Sequence, residues 1–266
     1  MCIHTSNNAA KEKMFDQLKS ILRRFPLVYR GVQRIYYLFL FVLERFAFGS
    51  SLHAWIWRHR QKDDVETLRK NAMHPHRSML VDAVRRFQTF EDVLEFGCHS
   101  GPNLFRLARE FPHARFKGID LNMGFIDQGQ AWMAEEGLDN VELKVGSSDD
   151  LSNFPSRSAD VVISDAVLMY LGPDKIAQVL HHFVRIARKG IILVEWSLDA
   201  DDSQGHYWYD MHWVHNYSAL LRAMAPTVAE TRTKIPADVW PGSGWEEYGY
   251  VMCFYLNEVR ASFSHQ

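Results

Sequence analysis

The chain has 266 residues, 47% of them hydrophobic and 23% charged, with a net charge of −2. That composition excludes a disordered chain and suits one sizeable α/β domain plus an extension. The cysteines Cys2, Cys98 and Cys253 are odd in number and spaced neither for zinc nor for a disulfide framework, so a reducing, cytoplasmic setting is expected.

Residues 1–20 are polar and show no cleavable signal sequence. Through Lys62 there are 11 Lys and Arg against 3 acids, a net +8; the remaining 19 against 29 give −10. Such a split suggests that the basic part meets an anionic surface. Within it lies a nine-residue apolar run, 35–43, between Arg34 and Glu44, followed by Phe46, Phe48, Trp55 and Trp57. Nine residues are too few to span a bilayer, which needs about 20. Two readings stay open for 21–60: an interfacial segment with its arginines toward the inner face of the cytoplasmic membrane, or a helix packed on the catalytic domain or on a second copy. The aromatic and aliphatic residues among the charges argue against a nucleic-acid footprint. Residues 1–62 are read as a basic, aromatic-rich helical extension and 63–266 as the main domain.

From residue 63 the pattern becomes regular. Helices are expected over 64–72 and 76–87, with His74 and His76 capping or solvating the second. A strand over 92–96 leads into a glycine turn at 97–101 and a helix over 103–111 that ends before Pro112. A strand follows over 116–120, a helix over 123–136 and a strand over 141–145. The strand at 160–165 is apolar enough to be buried on both faces. Ile176, Val179, Leu180, Phe183 and Val184 keep helical spacing within 173–188, with Pro173 in the first turn. A strand over 190–195, a helix over 213–224 and two strands over 227–234 and 249–256 complete the chain. Strands alternating with helices predict a doubly wound, seven-stranded, mostly parallel α/β sheet, with its ligand at the carboxyl ends of the strands.

The glycines at 97 and 101 allow a tight turn, and Asp120 stands about twenty residues on, where an acid accepts hydrogen bonds from ribose hydroxyls. Together they predict a nucleoside-containing cofactor. The dinucleotide fingerprint G-x-G-x-x-G is broken by His99 and Pro102, which argues against NAD.

These motifs resemble the class I S-adenosylmethionine-dependent methyltransferase superfamily over residues 63–256. The resemblance rests on Glu95 through Gly101, on Gly118-Ile119-Asp120, on Gly146 through Leu151, and on 160–171. It implies S-adenosylmethionine as cofactor. Gly97, Cys98 and Gly101 would pack on its methionine part and Glu95 would hold its amino group. Asp120 would bind the ribose, Leu121 would lie on the adenine, and Ser147 and Ser148 would flank the adenine edge. Asp165 would stand near the methionine moiety or the substrate. Two positions depart from the pattern: His99 replaces the middle glycine, and Ser147 stands where an acid often meets the adenine.

The stretch 206–217 carries His206, Asp210, His212 and His215 among aromatic residues. In this superfamily that connection often forms a substrate lid. His212 or His215 is expected to deprotonate a hydroxyl, with Asp210 orienting the imidazole. The spacing requires no metal. The expected activity is methylation of a hydroxyl on a sugar or related small-molecule or lipid-linked acceptor, as in surface-polysaccharide synthesis. Methylation of a natural product or lipid is the alternative, and a non-catalytic cofactor-binding module is the alternative of another class. The oligomeric state is not encoded in any motif.

Overall fold

The computed structural model describes residues 50–256 except 62, 63, 203, 204, 210 and 211. The apolar run 35–43 and Asp210 therefore lie outside the described residues. The helices are α1 (Ser51–Arg58), α2 (Val65–Ala72), α3 (His76–Arg85), α4 (Pro102–Glu110), α5 (Met123–Glu135), α6 (Ile176–Ile186), α7 (Tyr217–Met224) and α8 (Ser243–Tyr248). The strands are β1 (Asp92–Phe96), β2 (Arg115–Asp120), β3 (Val141–Val145), β4 (Ala159–Asp165), β5 (Ala187–Trp196), β6 (His206–Tyr209), β7 (His212–His215), β8 (Ala229–Lys234) and β9 (Gly249–Tyr255).

Seven strands form one sheet in the order β3-β2-β1-β4-β5-β9-β8. β1 to β5 are parallel, and β9 runs antiparallel to both β5 and β8. The chain moves outward from β1 to β3 and then returns to β4 on the other side of β1. This reversal opens a crevice at the carboxyl ends of β1 and β4.

The period of two along the strands divides the core. On β4, Val161 and Ile163 pack on one face and Val162 on the other, all fully buried. The first face carries α2 to α5; the second carries α6 and α7. α6 buries Ile176, Val179, Leu180, Phe183 and Ile186 along one stripe. Phe183 meets Phe96 edge-on at 5.7 Å. Phe183→Ala is expected to cost about 3–5 kcal/mol in denaturant unfolding, because the sheet cannot collapse into the space left.

Several boundaries differ from the sequence reading; the helix expected over 173–188 spans only Ile176–Ile186, so Pro173 precedes it. β5 begins at Ala187, not at Gly190, since Ala187 pairs with Ala159 and Arg188 is drawn to Asp160 at 2.9 Å and Asp92 at 2.8 Å. The expected helix 213–224 begins only at Tyr217, capped by Asn216, whose Oδ1 accepts from the Ala219 amide at 2.9 Å. Residues 212–215 instead pair antiparallel with 206–209, so the aromatic stretch is a two-stranded ribbon. Residues 50–61, assigned from sequence to the extension, belong to the same compact unit as the sheet, which begins at Ser50. Among the described residues no helix is long and apolar enough to cross a membrane.

Candidate active site

A cavity of about 760 Å³ occupies the crevice. Its floor is the turn after β1. Gly97 (φ +77°) and Gly101 (φ +79°) take left-handed conformations that glycine adopts without strain, and a side chain at Gly97 would collide with Val167. The Gly97 and Cys98 amides donate to the Ile119 carbonyl at 2.8 and 3.0 Å, which locks the turn to β2. His99 is also left-handed (φ +54°), and its ring stacks on Phe125 at 3.7 Å. The residue replacing the family's middle glycine thus keeps the turn by packing its ring on α5.

Asp120 closes β2. Its Oδ2 accepts the His99 amide and its Oδ1 the Asn122 amide, both at 2.9 Å. Burial pushes its carboxyl up, and these amides oppose the shift. The turn and the acid form one unit, because the carboxylate that would meet a ribose also fixes the loop beneath it. Leu121, Gly146, Ser147 and Ser148 continue the wall. The Ser147 hydroxyl donates to Asp150 at 2.7 Å, so it is already committed within its own loop. Asp149 lines the same wall and pairs with Lys175 at 2.9 Å.

Glu95 and Asp165 lie deeper, at the ends of β1 and β4. Asn103 links them, its Nδ2 donating to Glu95 Oε1 at 2.6 Å and to Asp165 Oδ2 at 2.9 Å. Arg77 donates to the Asn103 carbonyl oxygen and lies 3.4 Å from Asp165 Oδ2. Glu95 Oε2 and Asp165 Oδ1 are buried and meet no donor among the described residues. Two orphaned carboxylate oxygens on a cavity floor suit a ligand ammonium group, since a buried acceptor left unpaired is costly.

Burial raises the Glu95 carboxyl to about 8, against the Asn103 hydrogen bond. In the folded chain Glu95 therefore holds a proton that the unfolded chain has lost, and stability falls as pH rises from 4.5 to about 8. Glu95→Gln is expected to raise the melting temperature more at the alkaline end of that window than at the acid end, and to weaken S-adenosylhomocysteine binding. Thermal melts and titrations at both ends check this. A variant equally stabilised at both ends contradicts it.

The roof is α1. Ser50 Oγ donates to Asp174 at 2.9 Å and accepts the Gly172 amide at 2.7 Å. At the other end Asn122 Nδ2 donates to the Trp57 and Arg60 carbonyls at 3.0 and 2.8 Å. Trp57 meets Tyr170 edge-on at 5.1 Å, and His53 lies 5.4 Å from the same ring. Burial lifts the Tyr170 phenol to about 12, so it stays neutral as part of an aromatic wall.

Lining the same cavity, His76 Nε2 lies 2.9 Å from Asp165 Oδ2 and His76 Nδ1 lies 2.5 Å from His74 Nδ1. Trp240, from the loop between β8 and α8, stacks on His76 at 4.1 Å. His74 lines the cavity with them. Reading these histidines as helix caps missed them. The signal in the sequence was two histidines flanking Pro75 just before a helix that leads to the motif strand.

Of the sequence candidates, Glu95, Gly97, Cys98, Asp120, Leu121, Ser147, Ser148 and Asp165 line the cavity together. Gly101 supports the turn as the residue before α4. The Cys98 thiol is buried, and burial pushes it well up, so it is inert packing. His212 and His215 are not on the wall. His212 packs between Tyr170 and Trp196 at 5.0 and 4.7 Å. His215 is fully buried, with Nε2 donating to the Leu171 carbonyl and Nδ1 against His206 Nδ1, each at 2.8 Å. Burial holds its imidazole down to about 3, so it takes up no proton near neutral pH.

Residues 93–190 match the family described as Methyltransferase domain. Among curated proteins, a tRNA (guanine-N(7)-)-methyltransferase of Synechococcus sp. (strain JA-2-3B'a(2-13)) is 31% identical over 83 residues, covering 31% of this chain and 35% of that protein. The chain spans less than two thirds of the length of the curated relatives it matches. Geranyl diphosphate C-methyltransferase from Streptomyces coelicolor A3(2), solved with S-adenosyl-L-homocysteine, superposes with a TM-score of 0.57 at 16% identity, over 77% of this chain and 97% of that one. Magnesium protoporphyrin IX methyltransferase from Synechocystis PCC 6803, also with S-adenosylhomocysteine, gives 0.52 at 14% identity, over 81% and 99%. At these identities the likeness to the solved structures is one of fold. The match over residues 93–190 is to a methyltransferase domain, and the fold is shared with methyltransferases solved with S-adenosylhomocysteine bound.

Proposed function

We propose that this chain transfers a methyl group from S-adenosylmethionine to a hydroxyl of a sugar or a related small or lipid-linked acceptor. One observation carries the reading. A single cavity joins a floor of orphaned carboxylate oxygens, Glu95 Oε2 and Asp165 Oδ1, to a wall of aromatic and imidazole side chains. The floor suits the cofactor's ammonium group. The wall, with Trp57, Tyr170 and Trp240, suits a ring-shaped acceptor that stacks and carries hydroxyls.

S-adenosylmethionine supplies an electrophilic methyl on a positively charged sulfur. The chain's residues supply orientation, which accounts for much of the acceleration in such transfers. Asp120 holds the ribose end, Glu95 and Asp165 the ammonium end, and Gly97 lets the backbone come close. The roof helix α1, tied down at both ends, keeps water from the reacting centre. The +8 charge of residues 1–62 supports an encounter with the inner face of the cytoplasmic membrane, where lipid-linked sugars are assembled.

Incubation of the full chain with methyl-tritiated S-adenosylmethionine tests the acceptor class. The panel would hold nucleotide sugars, polyprenyl-linked sugars, phenols and geranyl diphosphate. Label on a sugar oxygen is the expected result. Label only on a phenol, or on an isoprenoid carbon, overturns the sugar acceptor. Tight S-adenosylhomocysteine binding with no transfer to any acceptor favours a binding module instead.

A further inference from the structure

We propose that His74, His76 and Asp165 form a proton relay, in which His74 takes the acceptor's hydroxyl proton and the positive charge comes to rest on His76. This rests on the hydroxyl-methylation reading. The relay follows from which nitrogen can carry which hydrogen. The two Nδ1 atoms lie 2.5 Å apart, so one donates and the other accepts. Asp165 accepts through Oδ2, which also takes the Asn103 amide hydrogen, so His76 Nε2 must be the donor across the 2.9 Å contact. With His76 neutral, its Nδ1 is then a lone pair and His74 Nδ1 carries the hydrogen. That leaves His74 Nε2 as a lone pair on a residue of the cavity wall, with no hydrogen bond to another described residue.

When the acceptor oxygen bonds to the methyl carbon, the carbon–sulfur bond breaks and its electron pair returns to sulfur. The O–H proton passes to His74 Nε2. His74 Nδ1 then gives its own proton to His76 Nδ1, and His76 becomes the imidazolium. The surroundings favour that end state. Asp165 is 4% exposed; burial, the largest influence, raises its carboxyl, but His76, Arg77 and Asn103 outweigh it and hold it ionised. Trp240 stacks on His76 at 4.1 Å, where an indole face stabilises a cation. His74 is held below its ordinary range by burial and by the nearby His76 and Arg77, which favours its neutral form. The charged groups around the pair are Asp165 and Arg77, with Glu95 beyond Asn103 and Arg106 beyond Arg77.

Two-bond proton–nitrogen spectra of the full chain labelled with 15N-histidine test the relay without any acceptor. His74→Gln and His76→Gln assign the signals. Should the buried His76 variant not fold, the Overhauser contact of His76 to the Trp240 indole assigns it instead. In alkaline solution, His74 is expected as the Nδ1–H tautomer and His76 as Nε2–H. On acidification the imidazolium signature is expected at His76. An Nε2–H tautomer for His74 in the alkaline spectrum, or an imidazolium forming on His74 itself, overturns the relay. S-adenosylhomocysteine added to the same sample separates the two ideas. Amide shifts at Gly97 and Asp120 with the wrong tautomers overturn the relay alone; no shifts overturn the methyltransferase reading and the relay's role with it.

Discussion

His74→Gln is expected to lower kcat for hydroxyl methylation by about 10²- to 10⁴-fold, the usual contribution of a general base, with S-adenosylhomocysteine affinity and KM little changed. Glutamine can occupy the space of the imidazole and still donate toward His76 Nδ1, so the packing against Trp240 and the Asp165 contact are kept. What it cannot do is accept and pass on a proton. The pH profile separates this from a loss of packing. In the unaltered chain kcat rises with pH as His74 becomes free to accept a proton and then levels off. In the variant the residual rate keeps rising, because hydroxide replaces the missing base. A variant that loses rate but keeps the original profile shape would place the base elsewhere.

Asp120→Ala is expected to weaken S-adenosylhomocysteine binding by about 10²- to 10⁴-fold. Two hydrogen bonds from ribose hydroxyls to a carboxylate contribute roughly 1.5–3 kcal/mol each, and each 1.4 kcal/mol is tenfold in affinity. The substitution also frees the His99 and Asn122 amides that the carboxylate now accepts, so the loop beneath the cofactor loosens as well. Asp120→Asn keeps one acceptor oxygen for those amides and is expected to fall between the two. Measuring both by calorimetry, with melting curves to show that each chain is folded, divides direct contact from loop support.

The cofactor half of the site was legible because it is local. A strand, a glycine turn and an acid at the next strand's end lie within 29 residues of chain, from 92 to 120, and each obeys a backbone rule that a sequence displays. The proton-handling half was not. His74 and His76 gain meaning only when β4 brings Asp165 from 89 residues away and the loop before α8 brings Trp240. Locally they look like the polar start of a helix. The roof was hidden for the same reason: Ser50 finds Asp174 across 124 residues, and nothing in the basic, aromatic run around it announces that contact. The ribbon 206–215 failed differently. Its aromatic and histidine residues fit a period of two as well as a helical one, and only the Asn216 cap marks where the helix begins. His215 drew attention as a base by its residue type, but a histidine beside Val214 and Tyr217, both 0% exposed, is placed to fill the core.

Calorimetric titration of the purified chain with S-adenosylhomocysteine, near pH 7 and in buffers of differing ionisation enthalpy, tests the central claim most directly. Binding at one site is expected, accompanied by release of a proton as the ligand's ammonium group ionises Glu95. Folded protein that takes up no S-adenosylhomocysteine would contradict it, since the orphaned carboxylate oxygens of Glu95 and Asp165 would then serve some other cation.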